Sequence, residues 1–164
     1  MLRAMHFFDE NDRVEKMRKT LEVLQAENSN ADFENTKNSN ADFNENFSKK
    51  NTFKDSNAVF EKFLDLVNRS GDSSWELLQN IFSTQYPREQ GVALGLSLTR
   101  IFAGRLFGKK IACRVHGGGF AGTIQAYIPH EHLSEYRQVM ETVFGEGAVT
   151  VLKVRSAGAA EIAL

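Results

Sequence analysis

The chain has 164 residues, 41% of them hydrophobic and 25% charged, with a formal net charge of −1. That length fills one modest core, and the near-neutral balance offers no electrostatic attraction to nucleic acid or to an anionic lipid surface. A single cysteine, Cys113, excludes an intramolecular disulfide framework and a thiolate metal cluster. No apolar run approaches the ~18 residues needed to span a bilayer, and no charged-then-apolar leader opens the chain, so a cytoplasmic protein without a membrane partner is expected.

Val14, Met17, Leu21 and Leu24 recur at steps of three and four, which predicts a first helix over residues 1–27 with one apolar stripe. Asp9, Glu10 and Asp12 beside it read as a solvated acidic face. Residues 28–59 change character. Asn28-Ser29-Asn30-Ala31-Asp32-Phe33 recurs as Asn38-Ser39-Asn40-Ala41-Asp42-Phe43, and Ser56-Asn57-Ala58-Val59-Phe60 is a degenerate third copy. These copies are far shorter than a solenoid unit and rich in residues that stay solvated, so an inserted, disordered loop is expected. An insertion of ~30 residues would cost on the order of 1 to 2 kcal/mol in loop closure, which a fold can absorb.

Residues 60–164 read as the remainder of the domain. Phe60, Phe63, Leu64 and Val67 form a second stripe, with Gly71 expected to stop that helix. Ser73 with Glu76 has the spacing of a capping box, which predicts a new helix through Trp75, Leu78 and Phe82, with Trp75 in the core. Pro87 is placed to open a helix running to Ala103, whose small residues Gly91, Ala93, Gly95 and Ser97 would let it back a sheet, with Gly104 as its stop. A strand over 111–116, a glycine-rich loop, a strand over 122–128, a helix over 130–144 and a strand over 149–154 follow, and 159–164 could add an edge strand. Leu133, Tyr136, Met140 and Val143 share one side of that last helix, and Gly145 suits its C-terminal cap. Together these elements predict an α+β fold, a small, mainly antiparallel sheet with helices packed on one face.

The candidate site is the loop itself: Gly117, Gly118, Gly119, Phe120 and Gly122, with His116 at its root. Glycine frees the backbone for positive φ and lets a ligand or another chain approach the main chain closely, though a turn that only packs would use it too. His116 could donate to a phosphate or a hydroxyl if it faced a cleft. Cys113 reads as a buried strand residue, and Arg114, alternating with it, as a side chain paired with a carboxylate on the other face. His130 and His132 lie one residue apart at a helix start, a spacing that points them apart and argues against a metal site. No Ser-His-Asp or Cys-His set and no zinc spacing can be assembled, so no catalytic residue is named.

Arg114, then Gly117-Gly118-Gly119-Phe120-Ala121-Gly122 and a hydrophobic strand ending in Pro129, resembles the C-terminal motif R-M-T-G-G-G-F-G-G-C of the galactokinase branch of the GHMP small-molecule kinases. His116 stands where that motif has threonine, and Ala121 where it has glycine. Arg3-Ala4-x-His6 with Glu10-Asn11-x-Arg13-Val14 resembles the helix opening the family's C-terminal half, and Asn68-x-Ser70-x-x-Ser73 resembles its N-E-S-H-x-S segment. The family's central phosphate loop, its sugar-recognition signature and the segment of its catalytic aspartate have no counterpart here. The resemblance therefore implies the C-terminal part of an ATP- and Mg²⁺-dependent galactose kinase with a ferredoxin-like fold, inactive without an N-terminal half as partner. A non-catalytic sugar- or nucleotide-binding regulator and a standalone interaction module are the alternatives.

Overall fold

The computed structural model describes residues 1–35, 45–106, 110–120 and 122–153, with side chains described for all of these except 27–35 and 45–55. The chain divides into two compact units, Met1–Pro129 and His130–Leu164. In the first, helix α1 (Leu2–Asn35) pairs with helix α2 (Glu45–Ser73), a π turn (Ser74–Leu78) continues α2, and helix α3 (Gly91–Arg105) precedes strands β1 (Ala112–Val115) and β2 (Ile124–Tyr127). Helix thus enters the Asn-rich 28–59 segment from both sides, and residues 36–44 lie outside the described residues.

The strands form an antiparallel pair in which Ala112 faces Tyr127 and Val115 faces Ile124. Alternation along β1 sends successive side chains to opposite faces, and both faces are covered rather than the one expected. Cys113 and Val115 join Ile81, Val92 and Leu96 in a cluster that gathers Trp75, Phe82, Ile124 and Ala126 at its margin. Ala112 joins Leu64 and Val67, with Met17, Phe63 and Tyr127 against them. The Tyr127 and Phe63 rings meet edge to face, 5.8 Å apart. Mixed helix and antiparallel sheet make the fold α+β.

Gly71 does not end its helix; α2 runs through it to Ser73. A Cβ at Gly71 would lie 2.9 Å from the Cys113 carbonyl oxygen and 3.0 Å from the Arg114 Cβ, so its hydrogen lets the helix lie directly on β1. Ser73 accordingly has helical φ and ψ, and its side chain makes no capping bond. Asn68, about one turn before Gly71, serves the open edge of β1: its amide donates to the Ile111 carbonyl (3.0 Å) and its oxygen accepts from the Cys113 N–H (3.0 Å). One side chain thus takes the place of a neighbouring strand, which buried backbone groups require.

The stripe expected on α1 is displaced. Val14 and Leu21 are exposed, whereas Glu10, Arg13, Met17 and Thr20 turn inward. α3 starts at Gly91 rather than Pro87, because residues 86–89 close a turn in which the Glu89 N–H donates to the Tyr86 carbonyl (3.0 Å). Val92, Gly95, Leu96, Thr99 and Phe102 form its buried face.

The second unit opens with a 3₁₀ turn (His130–His132) and helix α4 (Leu133–Phe144), in which Tyr136 and Met140 are buried one turn apart and Val143 is exposed. Gly145 ends α4 at φ +93, its N–H donating to the Glu141 carbonyl (2.9 Å), the cap expected of it. Residues 149–153 form no strand, because a strand exists only as part of a ladder and none is available within this unit's described residues. Residue 154 and the expected edge segment 159–164 lie outside the described residues.

Candidate functional site

The glycine loop is the hairpin connection between β1 and β2. His116, exposed at its root, donates its N–H to the Thr123 carbonyl (3.2 Å) and closes the loop. Gly117, Gly119 and Gly122 have φ of +62, +79 and +86, a region in which a Cβ is strained, so these three glycines are demanded by the backbone path. Phe120 adopts φ +59 despite its bulk, and the residue is 55% exposed. A Cβ at Gly117, Gly118 or Gly122 would meet nothing within 4 Å. Gly119 differs: its Cβ would fall 2.4 Å from the Asn80 carbonyl oxygen.

Asn80 is the loop's anchor on the protein body and is only 2% exposed. Its main-chain oxygen accepts from the Phe120 N–H (2.9 Å), and its amide donates to the Gly118 carbonyl (3.2 Å) and to Ser74 Oγ (2.8 Å). Ser74 is itself buried, with Oγ 3.0 Å from Asn80 Oδ1. The Phe120 N–H is therefore engaged, and among the described loop residues main-chain donors for a ligand narrow to the glycines. Neither Asn80 nor Ser74 was among the expected site residues. A signal was present: a lone asparagine in the apolar run Leu77-Leu78-Gln79-Asn80-Ile81-Phe82 is a buried polar group that needs partners.

A second polar constellation lies where α1, α2 and β1 meet. Glu10 pairs with Arg13 (2.9 Å) and Arg114 (3.4 Å) and accepts from the Ser70 hydroxyl. Glu10 is thus half-buried in a polar network rather than part of a solvated acidic face, while Arg114 finds the carboxylate partner expected for it. Burial raises the Glu10 pKa, but the Ser70 hydroxyl and the two guanidiniums outweigh it and leave it below the usual range. His6 Nδ1 lies 3.0 Å from Ser73 Oγ one turn further along. This network joins the Arg3–Val14 and Asn68–Ser73 motifs in space and ties both to β1.

On the opposite side of β1, a cavity of about 290 Å³ is lined by Asp72, Thr99, Arg100 and Cys113, among others. Arg100 pairs with Asp72 (2.5 Å) and lies over the Trp75 ring, 5.3 Å from its centroid. Burial pushes the Cys113 thiol up despite Arg100 nearby, so the sulfur stays protonated and is a poor nucleophile. Among the described residues no group of three or more His, Cys, Asp or Glu side chains could hold a metal ion, and no helix is long and apolar enough to cross a membrane.

No protein-family profile, characterised protein or solved structure matches this chain.

Proposed function

We propose that this chain is the C-terminal part of a galactokinase-like sugar kinase. ATP would phosphorylate galactose or a related sugar there, in a cytoplasmic setting, with the catalytic half supplied from elsewhere in the same or another polypeptide. The observation that carries this reading is the loop after β1. It combines the Arg114…Gly117-Gly118-Gly119-Phe120 motif with a backbone fixed on one side by Asn80 and open on the other at Gly117 and Gly118. A loop of that kind fits a phosphate group, which is recognised by main-chain N–H donors with room for close approach. Phosphoryl transfer needs mainly positioning and charge stabilisation, so a contributing domain can act without an acid or base of its own. In this reading Mg²⁺ enters with the ATP phosphates and is shared with the other half. A ferredoxin-like arrangement of the whole domain belongs to the same proposal.

The deciding experiment follows galactose-dependent ADP release from ATP and Mg²⁺ by the chain alone and with an N-terminal galactokinase half added. Turnover only in the combined sample is the expected result. Turnover by the chain alone would overturn the need for a second half, and silence in both would overturn the kinase reading. Saturable sugar or nucleotide binding without turnover would then favour a non-catalytic regulator.

A further inference from the structure

Unusual backbone gathers around one side chain. Ser74–Leu78 winds as a π turn, a rare form that often marks functional positions, and Gln79 follows it at φ +54. Across the contact stands Phe120 at φ +59, and these two are the non-glycine residues with positive φ among those described. Left-handed backbone at residues with a Cβ persists only where the surroundings over-determine it, and it collects at functional sites. Asn80 lies between the two. Gln79 turns the chain out of the π turn, its N–H held by the Trp75 carbonyl (3.2 Å) and its side-chain amide by the Glu76 carbonyl (3.0 Å). That turn delivers Asn80 to the loop, where its main-chain oxygen accepts from the Phe120 N–H and its side-chain amide donates to the Gly118 carbonyl. Gly119 approaches so closely that no Cβ fits. A connection that merely joined two antiparallel strands would need no such clamp, because glycine at the turn suffices.

We propose that Asn80, braced by Ser74, is a positioning residue that holds the glycine loop in its ligand-ready shape before any ligand arrives. The proposal rests on the kinase reading for the ligand, a phosphoryl group of ATP, but not for the clamp. With the Gly118 carbonyl and the Phe120 N–H turned to Asn80, the Gly117–Gly118 side is, among the described residues 117–120, the part open to meet the phosphate. Donors fixed in advance need no reorganisation as charge develops, whereas a loose loop would have to be ordered in each turnover.

Two variants test it. Asn80→Asp keeps the size of the side chain but places an acceptor where the amide donated to Gly118, and Ser74→Ala removes the brace while leaving Asn80 in place. Each is read first in the chain alone, by ¹⁵N relaxation. The loop amides should fall from an order parameter near ~0.85 to below ~0.6, with the remaining resonances unmoved. Each is then read with the N-terminal half, ATP, Mg²⁺ and galactose. There kcat should fall about 10- to 100-fold while the KM for galactose stays within about 2-fold, a split that a general loss of stability would not produce. Folded variants whose loop amides stay as ordered as in the wild type overturn the proposal, as does a disordered loop with unchanged kcat. Should one variant not fold, the other decides. If the wild-type pair shows no turnover, the kinase reading fails, and the clamp stands or falls on the loop amides.

Discussion

Replacing Gly119 by alanine isolates the contact between loop and body. The backbone there has φ +79, where an L-residue costs roughly 1–2 kcal/mol. The new Cβ would lie 2.4 Å from the Asn80 carbonyl oxygen and 2.8 Å from its Cβ and Cγ, so the loop must lift away. Lifting breaks the bonds from the Phe120 N–H and to the Gly118 carbonyl, about 1 kcal/mol each, and leaves Asn80 short of partners in a buried position at a further ~1–2 kcal/mol. The expected loss is about 4–6 kcal/mol, a large share of the ~5–15 kcal/mol that a domain possesses. Gly118→Ala, one residue away, meets open space without positive φ and should change stability by less than about 0.5 kcal/mol. Urea unfolding followed by Trp75 fluorescence measures both, since the chain's single tryptophan sits in the π turn beside Asn80. A Gly119→Ala midpoint equal to that of the wild type, or a Gly118→Ala loss as large as that of Gly119→Ala, would refute the reasoning.

Asn68→Ala should cost about 2–3 kcal/mol, because it strands the Cys113 N–H and the Ile111 carbonyl on the edge of β1; faster amide exchange at Cys113 is the specific check, and unchanged protection counts against it. Because the Glu10 pKa is lowered on folding, its contribution is complete above the unfolded value near 4.5 and is lost as pH falls through the folded one. Urea midpoints should therefore decline below about pH 5 in the wild type and less steeply in Glu10→Gln, which is also weaker at pH 7; parallel curves would exclude Glu10 as a source of that decline. Cys113, 2% exposed with a raised pKa, should resist iodoacetamide in the folded chain and react fully in denaturant, and rapid native labelling would contradict its burial.

Periodicity located most of the ordered elements because it reports which residues a local element must hide. The stripe Phe60, Phe63, Leu64 and Val67 placed the end of α2, although Phe60 is exposed, and alternation around Cys113 and Arg114 placed β1 and assigned each residue to its face. The triple glycine located a connection with positive φ, since few other residues tolerate that backbone. Stops and starts were less legible. Gly71 and Ser73 carry the composition of a helix end and a new cap, yet α2 passes through Gly71 and runs at Ser73 straight into the π turn, because a missing Cβ serves close packing on β1 as well as it serves a stop. Likewise Glu10 has the composition of a solvated face, and only the approach of Ser70 and Arg114, 60 and 104 residues away, half-buries it.

What the sequence determined by itself is therefore local: the presence of the helices, the β1–loop–β2 hairpin and the glycines its path requires. These follow from covalent sterics and from the repeat of each element, which no distant residue can change. The tertiary structure alone decided that the hairpin is covered on both faces, that Asn68 stands in for a strand at its edge, and that Asn80 clamps the loop. Each is a demand of a buried polar group or of a close approach, and its partner lies tens of residues away. Spacing along the chain cannot encode such a partner; only the packed chain supplies it.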